Sequence, residues 1–572
     1  MWARERAALT AVARGAARAD QYIRGGLLLN VYTGELYPAN VAIQGERIAY
    51  VGLRDDMVGP RTELIDASGK TVVPGYVEPH AHPWNLATPA ALARHVLPLG
   101  TTTIFGDNLT VYMLGGLRGF ETAVRALARG PLKFYWMVRP HSQSRITDES
   151  TRFPLKAIRR MLCNPWAAAL GEVTRWPDAW AGRREILERL ALAPALGRRI
   201  EGHTAGANAE KVGALAAAGF TSDHEAITAQ EALDRARQGI AVMLRQSSLR
   251  PDLPALLGPL AKSAALSRLM LTTDGSTAAW ITEHGFVDSL VRLALAEGVA
   301  PADAYRMVTL NPATYYGKEA EIGGIAPGRF ADVLLLRDLS DPRPAAVVAR
   351  GRLVARDGRL LARVPEPPWR EIFTAQSTRF DRRWTARAEE FALPTKPGPV
   401  IRLVSAVITA LEERAPGPGD ITAALLDRQG RWITTCALAG CAPRLDGFAA
   451  TLSTDYQILA LGRSPAALAR AVNRVVQLRG GAVLVEGERV VFELALPLGG
   501  IMSPLPLPTL AERERELRRL LAERGYPFHD PLFTLYFMTA DFLPSVRLSS
   551  RGVWDVRRGR VLRPSRHRTR RD

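Results

Sequence analysis

Two histidines one residue apart, His80 and His82, close the apolar run Thr71-Val72-Val73-Pro74-Gly75-Tyr76-Val77 and are the first residues of this chain that could do chemistry. Along a strand, successive side chains alternate between faces, so His80 and His82 project the same way. Two imidazoles on one side of a strand's carboxyl end suit a shared divalent metal, for which nitrogen is a favourable borderline ligand. A His-x-His standing alone is more often a pair of surface histidines, so the metal reading depends on additional ligands elsewhere in the chain.

Four further candidates stand downstream. Glu172 lies in Leu170-Gly171-Glu172-Val173, behind Ala167-Ala168-Ala169, where a carboxylate could bridge two cations; alone, it would be read as starting a helix. His203 lies in Ile200-Glu201-Gly202-His203-Thr204-Ala205-Gly206, whose small residues allow close backbone approach. His224 stands in Thr221-Ser222-Asp223-His224-Glu225, and Asp274 ends Leu269-Met270-Leu271-Thr272-Thr273-Asp274. Six nitrogen and oxygen ligands, each closing a predicted strand, are far more specific than any pair. Of the 9 histidines, His95, His141, His284, His529 and His567 lie outside this pattern and are read as solvated or core residues.

The elements that must position these residues show in the hydrophobic pattern. From about Pro74 to Gly317, short apolar strands alternate with Ala- and Leu-rich helical stretches, which argues for parallel strands with crossovers and a (β/α)8 TIM-like barrel. In such a barrel the chemistry sits at the carboxyl ends of the strands. Before it, Leu27 to Val31, Asn40 to Ile43 and Arg47 to Val51 read as antiparallel strands. Similar strands return at Ala331 to Leu336 and Ala345 to Val354, which predicts one composite β-sandwich built from both flanks of an inserted barrel. The Pro-rich stretches Val364 to Pro368 and Leu393 to Pro399 mark the next boundary. Strands and helices beyond it form an additional α+β carboxyl-terminal domain. The expected divisions are 1–73 (leading helix and first part of the sandwich), 74–321 (barrel), 322–365 (returning sandwich), 366–398 (linker), 399–556 (carboxyl-terminal domain) and 557–572 (a basic, solvated tail).

Composition bounds the function classes. At 572 residues, 47% hydrophobic and 23% charged, the chain reads as a soluble globular protein of several domains. Its apolar runs all fall short of the roughly 18 residues of a membrane span. The Ala- and Arg-rich start is interrupted by Glu5 and Asp20, so it reads as a leading helix rather than a transit peptide. Three cysteines suit a reducing cytoplasm and no disulfide framework, with Cys436 and Cys441 as packing residues. The net charge of +18 is spread over the whole chain without an aromatic-basic motif, so no nucleic-acid partner is expected.

With these residues in view, His80-Ala81-His82, the returning sandwich strand and Gly324-Ile325-Ala326-Pro327-Gly328-Arg329-Phe330-Ala331-Asp332 resemble the amidohydrolase superfamily. Leu170-Gly171-Glu172, Gly202-His203-Thr204-Ala205-Gly206, Ser222-Asp223-His224-Glu225 and Thr309-Leu310-Asn311-Pro312-Ala313 resemble bacterial adenine deaminases, as does the carboxyl-terminal domain. The resemblance implies two divalent cations, Mn2+ or Fe2+ ahead of Zn2+. His80, His82 and Asp274 would hold one, His203 and His224 the second, and Glu172 would bridge them. It implies hydrolysis of adenine to hypoxanthine and ammonia. The chain departs from these relatives at Pro83-Trp84-Asn85, Asp107-Asn108-Leu109 and Ser453-Thr454-Asp455-Tyr456-Gln457, all candidate substrate contacts. Hydrolysis of another cyclic amidine or an amide, and a non-catalytic binding protein on the same fold, stay open as alternatives.

Within the implied reaction Asp274 is expected to take the nucleophile's proton and pass it to ammonia. Glu225 and the ligand His224 complete the catalytic set; Asp223 is expected to orient His224, and Glu225 could either serve the substrate's ring nitrogen or orient that imidazole as well. Asp107, Asn108, Arg245 and Ser247, with Gln246 and Ser248, are expected to shape the pocket, although Arg245 could equally be a structural ion-pair partner. The carboxyl-terminal domain is expected to pack over or beside the barrel mouth through its apolar segment Phe533 to Phe542. A purine-like small-molecule partner and a homodimer complete the expectations.

Overall fold

The computed structural model describes residues 2–146, 148–262, 264–373, 380–393 and 396–568. Eight parallel strands form the barrel: β1 (Tyr76–Ala81), β2 (Thr101–Asp107), β3 (Lys133–Val138), β4 (Ala167–Val173), β5 (Arg199–Gly202), β6 (Ser222–Asp223), β7 (Ala241–Arg245) and β8 (Leu269–Thr272). Each pairs with its neighbours in chain order, and a parallel bridge from Ala81 to Asp274 closes the ring between β1 and the end of β8. The longer strands are buried along their whole length, as expected of strands with packed barrel on one face and helices on the other. Between β6 and β7, the helix Ala229–Arg237 starts on a capping box in which Thr228 and Glu231 satisfy each other's backbone N–H.

The run Thr71 to Val77, expected as one strand, is two. Thr71–Pro74 belongs to the sandwich, and β1 begins at Tyr76. The chain crosses between them at Gly75, where a Cβ would stand 2.3 Å from Thr102 Oγ1. His80 therefore lies inside a strand and His82 just beyond its end, and the alternation that turns both to one side is preserved.

The composite sandwich is as expected. Thr71–Pro74 pairs antiparallel with Val333–Leu336, so strands from both flanks of the barrel share one sheet. That sheet is mixed rather than purely antiparallel, because Gln21–Leu29 runs parallel to Glu63–Asp66 and Thr71–Pro74. The leading helix Trp2–Ala13 packs on it through Leu9 and Val12.

Beyond the barrel, a nine-stranded sheet with the helix Pro465–Leu478 against it makes the carboxyl-terminal domain. Part of the expected linker is packed, since the helix Trp369–Ile372 lies against Gly115 and Gly119 of the helix Leu109–Leu127. The expected solvated tail is ordered as far as residue 568. Arg560–Pro564 adds a third strand to the pair Val546–Ser549 and Gly552–Asp555, and Arg566–His567 pairs with Trp432 and Ile433. Backbone pairing and the ion pair of Arg568 with Glu390 outweigh the basic composition there. Residues 569–572 lie outside the described residues.

The carboxyl-terminal domain covers the barrel mouth. Met502–Ser503 forms a short parallel ladder with Leu86–Ala87. Thr454 Oγ1 lies 2.6 Å from Ser144 Oγ, and Ser248 Oγ donates to Asp530 at 2.8 Å. All three cysteines are free, with Cys436 and Cys441 buried and Cys163 exposed. Among the described residues, no helix is long and apolar enough to cross a membrane.

Candidate metal centre

Each barrel strand delivers its chemistry-bearing side chains at or just past its carboxyl end. His80 and His82 come from β1, Asp107 from β2, Arg139 from β3 and Glu172 from β4. Glu201 and His203 come from β5, His224 and Glu225 from β6, Arg245 from β7 and Asp274 from β8. The barrel turns these ends toward one point, so residues scattered over some 200 positions of sequence become neighbours.

His80 Nε2 and His82 Nε2 stand 3.2 and 3.1 Å from Asp274 Oδ1. On the other side, His203 Nδ1 and His224 Nε2 stand 2.5 and 3.5 Å from Glu172 Oε1 and 3.2 Å from each other. Glu172 Oε2 lies 3.9 Å from His82 Nε2, so the two oxygens of Glu172 face the two groups of imidazoles. Three overlapping triads result: His80, His82 and Glu172; His80, His224 and Asp274; and Glu172, His203 and His224. The ligand atoms within each triad lie no more than 4.8 Å apart.

The chemistry of these atoms fits divalent cations. Both nitrogens of His80, Nε2 of His203 and Nδ1 of His224 are buried without a hydrogen bond among the described residues. His80 Nδ1 lies 2.6 Å from Glu201 Oε1, but off the direction a hydrogen bond requires. Buried nitrogens left this way are costly unless another partner takes their lone pairs. Four carboxylates, Asp107, Glu172, Glu225 and Asp274, crowd against two guanidinium groups, Arg139 and Arg245, and a fifth, Glu201, lies beside the imidazoles of His80 and His224. Burial opposes charge on His82, yet Asp107 and Asp274 outweigh it and raise the imidazole to about 10. Burial likewise opposes charge on Asp274, but the adjacent imidazoles of His80 and His82 and the charge of Arg245 hold it well below the usual carboxylate range. Carboxylates that stay ionised beside imidazole lone pairs offer divalent cations both negative charge and nitrogen donors.

The expected pocket residues divide. Arg245 Nη1 donates to Glu225 Oε1 at 2.6 Å and Asp274 Oδ2 at 2.9 Å, and the side chain lines a cavity of about 340 Å³ over the cluster. Ser247 lines the same cavity, its Oγ accepting from the Arg250 N–H. Asp107 reaches the cavity wall but is turned to His82 Nδ1 at 3.1 Å and Arg139 Nη1 at 3.4 Å. Asn108 does not reach the cavity. Its Oδ1 accepts from the Arg139 N–H, its Nδ2 donates to Met161 Sδ, and it is fully buried. The reason is alternation: Asp107 ends its strand facing the barrel axis, so the next residue faces away.

Asp223, expected to orient His224, instead accepts from the N–H groups of Thr204 and Glu225 and from Arg235 Nε. Glu201 takes the expected place, 2.6 Å from His80 Nδ1 and 3.8 Å from His224 Nδ1. Strand alternation could have found it, because it precedes His203 by two residues. Arg139, whose Nη1 donates to Glu172 Oε2 at 2.5 Å, carries no local signal beyond its place after a strand. Glu78, two residues before His80, accepts from Thr272 Oγ1, Thr273 and the His80 N–H, and burial pushes its carboxyl up to about 7.

The cavity roof comes from the carboxyl-terminal domain: Val407 from one loop, and Phe533, Tyr536, Phe537, Phe542 and Leu543 from another region. The Phe542 ring meets His203 edge to face, with centroids 5.6 Å apart. The volume lies at the low end for small-molecule sites, about 300–1,000 Å³.

A closed parallel barrel with imidazoles and carboxylates converging at its carboxyl end, flanked by a composite sandwich, is the architecture of metal-dependent amidohydrolases, and residues 71–354 match the amidohydrolase family. Residues 412–560 match the adenine deaminase C-terminal domain. The protein named "Putative adenine deaminase BH0637" of Halalkalibacterium halodurans is 34% identical over 569 residues, covering 97% of each chain. The adenine deaminase of Moorella thermoacetica is 31% identical, covering 96% of each. The chain belongs to the adenine deaminase family.

Proposed function

We propose that this protein is a C–N hydrolase that converts adenine and water to hypoxanthine and ammonia, using two divalent cations. His80, His82 and Asp274 would hold one cation, His203 and His224 the other, and Glu172 would bridge them. The observation that carries this reading is the position of Glu172, whose oxygens face both groups of imidazoles at the floor of a small cavity with an aromatic roof. Mn2+ or Fe2+ is favoured over Zn2+ because two of the six ligands are carboxylates. When bound, such cations lower the pKa of a water from about 15.7 toward neutrality and so supply the nucleophile.

The chain's own residues do the rest. Asp274 offers Oδ1 toward the imidazoles while Arg245 holds Oδ2, which fixes the carboxylate in the cavity wall, where it would stand beside the reacting carbon. Ionised there, it accepts a proton from the attacking water and returns it to the departing amino group. Glu225 is gripped by Arg245 at 2.6 and 3.3 Å and stays ionised, which suits it to accept a hydrogen bond from the substrate's N–H groups. His224 acts as a ligand, and the aromatic roof excludes water and favours a flat heterocycle.

Hydrolysis of another cyclic amidine or an amide is the second reading. It is favoured by Trp84 and Asn85, which line the cavity where this chain departs from the relatives it resembles. A cytoplasmic homodimer completes the proposal. The test is ammonia release from a panel of aminopurines by protein loaded with Mn2+ or Fe2+, with elemental analysis of the same sample. Two ions per chain and turnover abolished by a chelator are expected. One ion or none with all six side chains intact would sink the binuclear site, and carboxylate release from amides without ammonia release from purines would select the second reading.

A further inference from the structure

Gln143 stands in the loop that leaves β3, buried and lining the cavity. Its amide has one orientation. Arg139 Nη2 donates to Gln143 Oε1, and a guanidinium can only donate, so the oxygen must face Arg139 and the NH2 must point away from it. That NH2 makes no hydrogen bond among the described residues, and the side chain that carries it lines the cavity.

Arg139 is itself fixed. It is fully buried, its Nη1 is held by Glu172 Oε2 at 2.5 Å and Asp107 Oδ2 at 3.4 Å, and its own backbone N–H is held by Asn108. One guanidinium thus joins Glu172 to Gln143, which brings the amide NH2 within reach of a molecule lying over the candidate metal centre. The carboxylates nearby, Glu172, Glu225, Asp107 and Asp274, can only accept hydrogen bonds when ionised. A ring nitrogen with an in-plane lone pair would be repelled by them and needs a donor, and Arg245 in the same wall is already engaged by Glu225 and Asp274.

We infer that Gln143 is a specificity-determining residue that donates its amide N–H to an unprotonated ring nitrogen of the substrate. Arg139 is the positioning residue that prevents the amide from flipping. The ligand class is a planar nitrogen heterocycle with a ring-nitrogen acceptor apart from the carbon under attack, and the inference rests on the aminopurine reading above. An analogue with C–H in place of that nitrogen loses the bond, and so does a variant without the donor.

The experiment compares adenine with its 1-deaza, 3-deaza and 7-deaza analogues, as substrates or competitive inhibitors of the metal-loaded protein. In the native protein one of the three should bind about three- to tenfold more weakly than adenine, the value of one neutral hydrogen bond. Gln143→Leu should lose the same factor for adenine and bind that one analogue as the native protein does, leaving the other two differences unchanged. Gln143→Glu keeps a partner for Arg139, removes the donor and should abolish the same discrimination, so it decides the matter if the leucine variant fails to fold. Metal content should match the native protein in both. Native protein that turns over adenine, with variants that keep the full discrimination, would overturn this inference alone. Native protein that neither binds nor turns over any purine would remove the aminopurine reading and this inference with it.

Discussion

His80 and His224 come from the first and sixth barrel strands, yet their rings stack with centroids 4.1 Å apart, and one carboxylate, Glu201, lies beside the Nδ1 atoms of both. An anion this close to Nδ1 favours the tautomer with the proton there, even without a well-directed hydrogen bond, and leaves Nε2 free for a cation. Because the two histidines are assigned to different ions, Glu201→Gln should weaken retention of both ions together, by about 10- to 100-fold. Metal content after dialysis against graded chelator measures it. Loss of a single ion, or of none, would show that the imidazoles are oriented independently.

Two segments of the carboxyl-terminal domain, residues 404–409 and 531–544, make the cavity roof, and they are joined by Arg547. This guanidinium is buried, has no carboxylate partner among the described residues, and donates to the carbonyls of Phe537, Leu543, Pro544 and Val407 at 2.7 to 3.2 Å. Thr534 Oγ1 adds a bond to the Ala406 carbonyl, and Thr409 Oγ1 accepts from the N–H groups of Ser545 and Val546. A helix of seven residues, Pro531–Phe537, would not hold its position without such bonds. Arg547→Met preserves much of the side-chain length but strands four carbonyls, and it should destabilise the domain by about 3 kcal/mol in denaturant unfolding. A variant as stable as the native chain would mean that burial of the charge costs as much as the four bonds return.

At the scale of the molecule, the docking of the carboxyl-terminal domain on the barrel contains a titratable contact. Glu514, on the helix Leu507–Glu523, accepts from the N–H of Ala279 in the barrel at 2.8 Å, and burial pushes its carboxyl from 4.5 up to about 7. The folded protein therefore binds this proton more tightly than the unfolded chain does. Stability from this group is fully present below about pH 4.5 and is lost as pH rises through 7, a difference of about 3 kcal/mol. Glu514→Gln keeps an oxygen for Ala279 and removes the titration. It should be more stable than the native protein at pH 8, with the gap closing toward pH 4.5, as read from unfolding free energies across that range. A gap independent of pH would show that Glu514 is ionised in the folded protein.

Local order in the chain was enough to read the barrel, because parallel strands buried on both faces leave short apolar runs between helical stretches. It was also enough to read the six residues of the candidate metal centre, because each stands where such a run ends and a barrel gathers those ends. Alternation along β5 would have added Glu201, and alternation past Asp107 would have removed Asn108. Arg139, Gln143 and Arg547 have no such mark. An arginine after a strand reads the same whether it faces solvent or a carboxylate from another strand, and only barrel closure brought Arg139 to Glu172. The tail from 557 looked solvated because its composition is basic, while the partners that order it, Val553, Trp432 and Glu390, lie elsewhere in the chain. The ligand types and their strand-end spacing follow from local sequence, since alternation acts over two residues. The support beneath them, the roof above them and the orientation of each polar group depend on contacts between distant segments, which only the packed structure brings together.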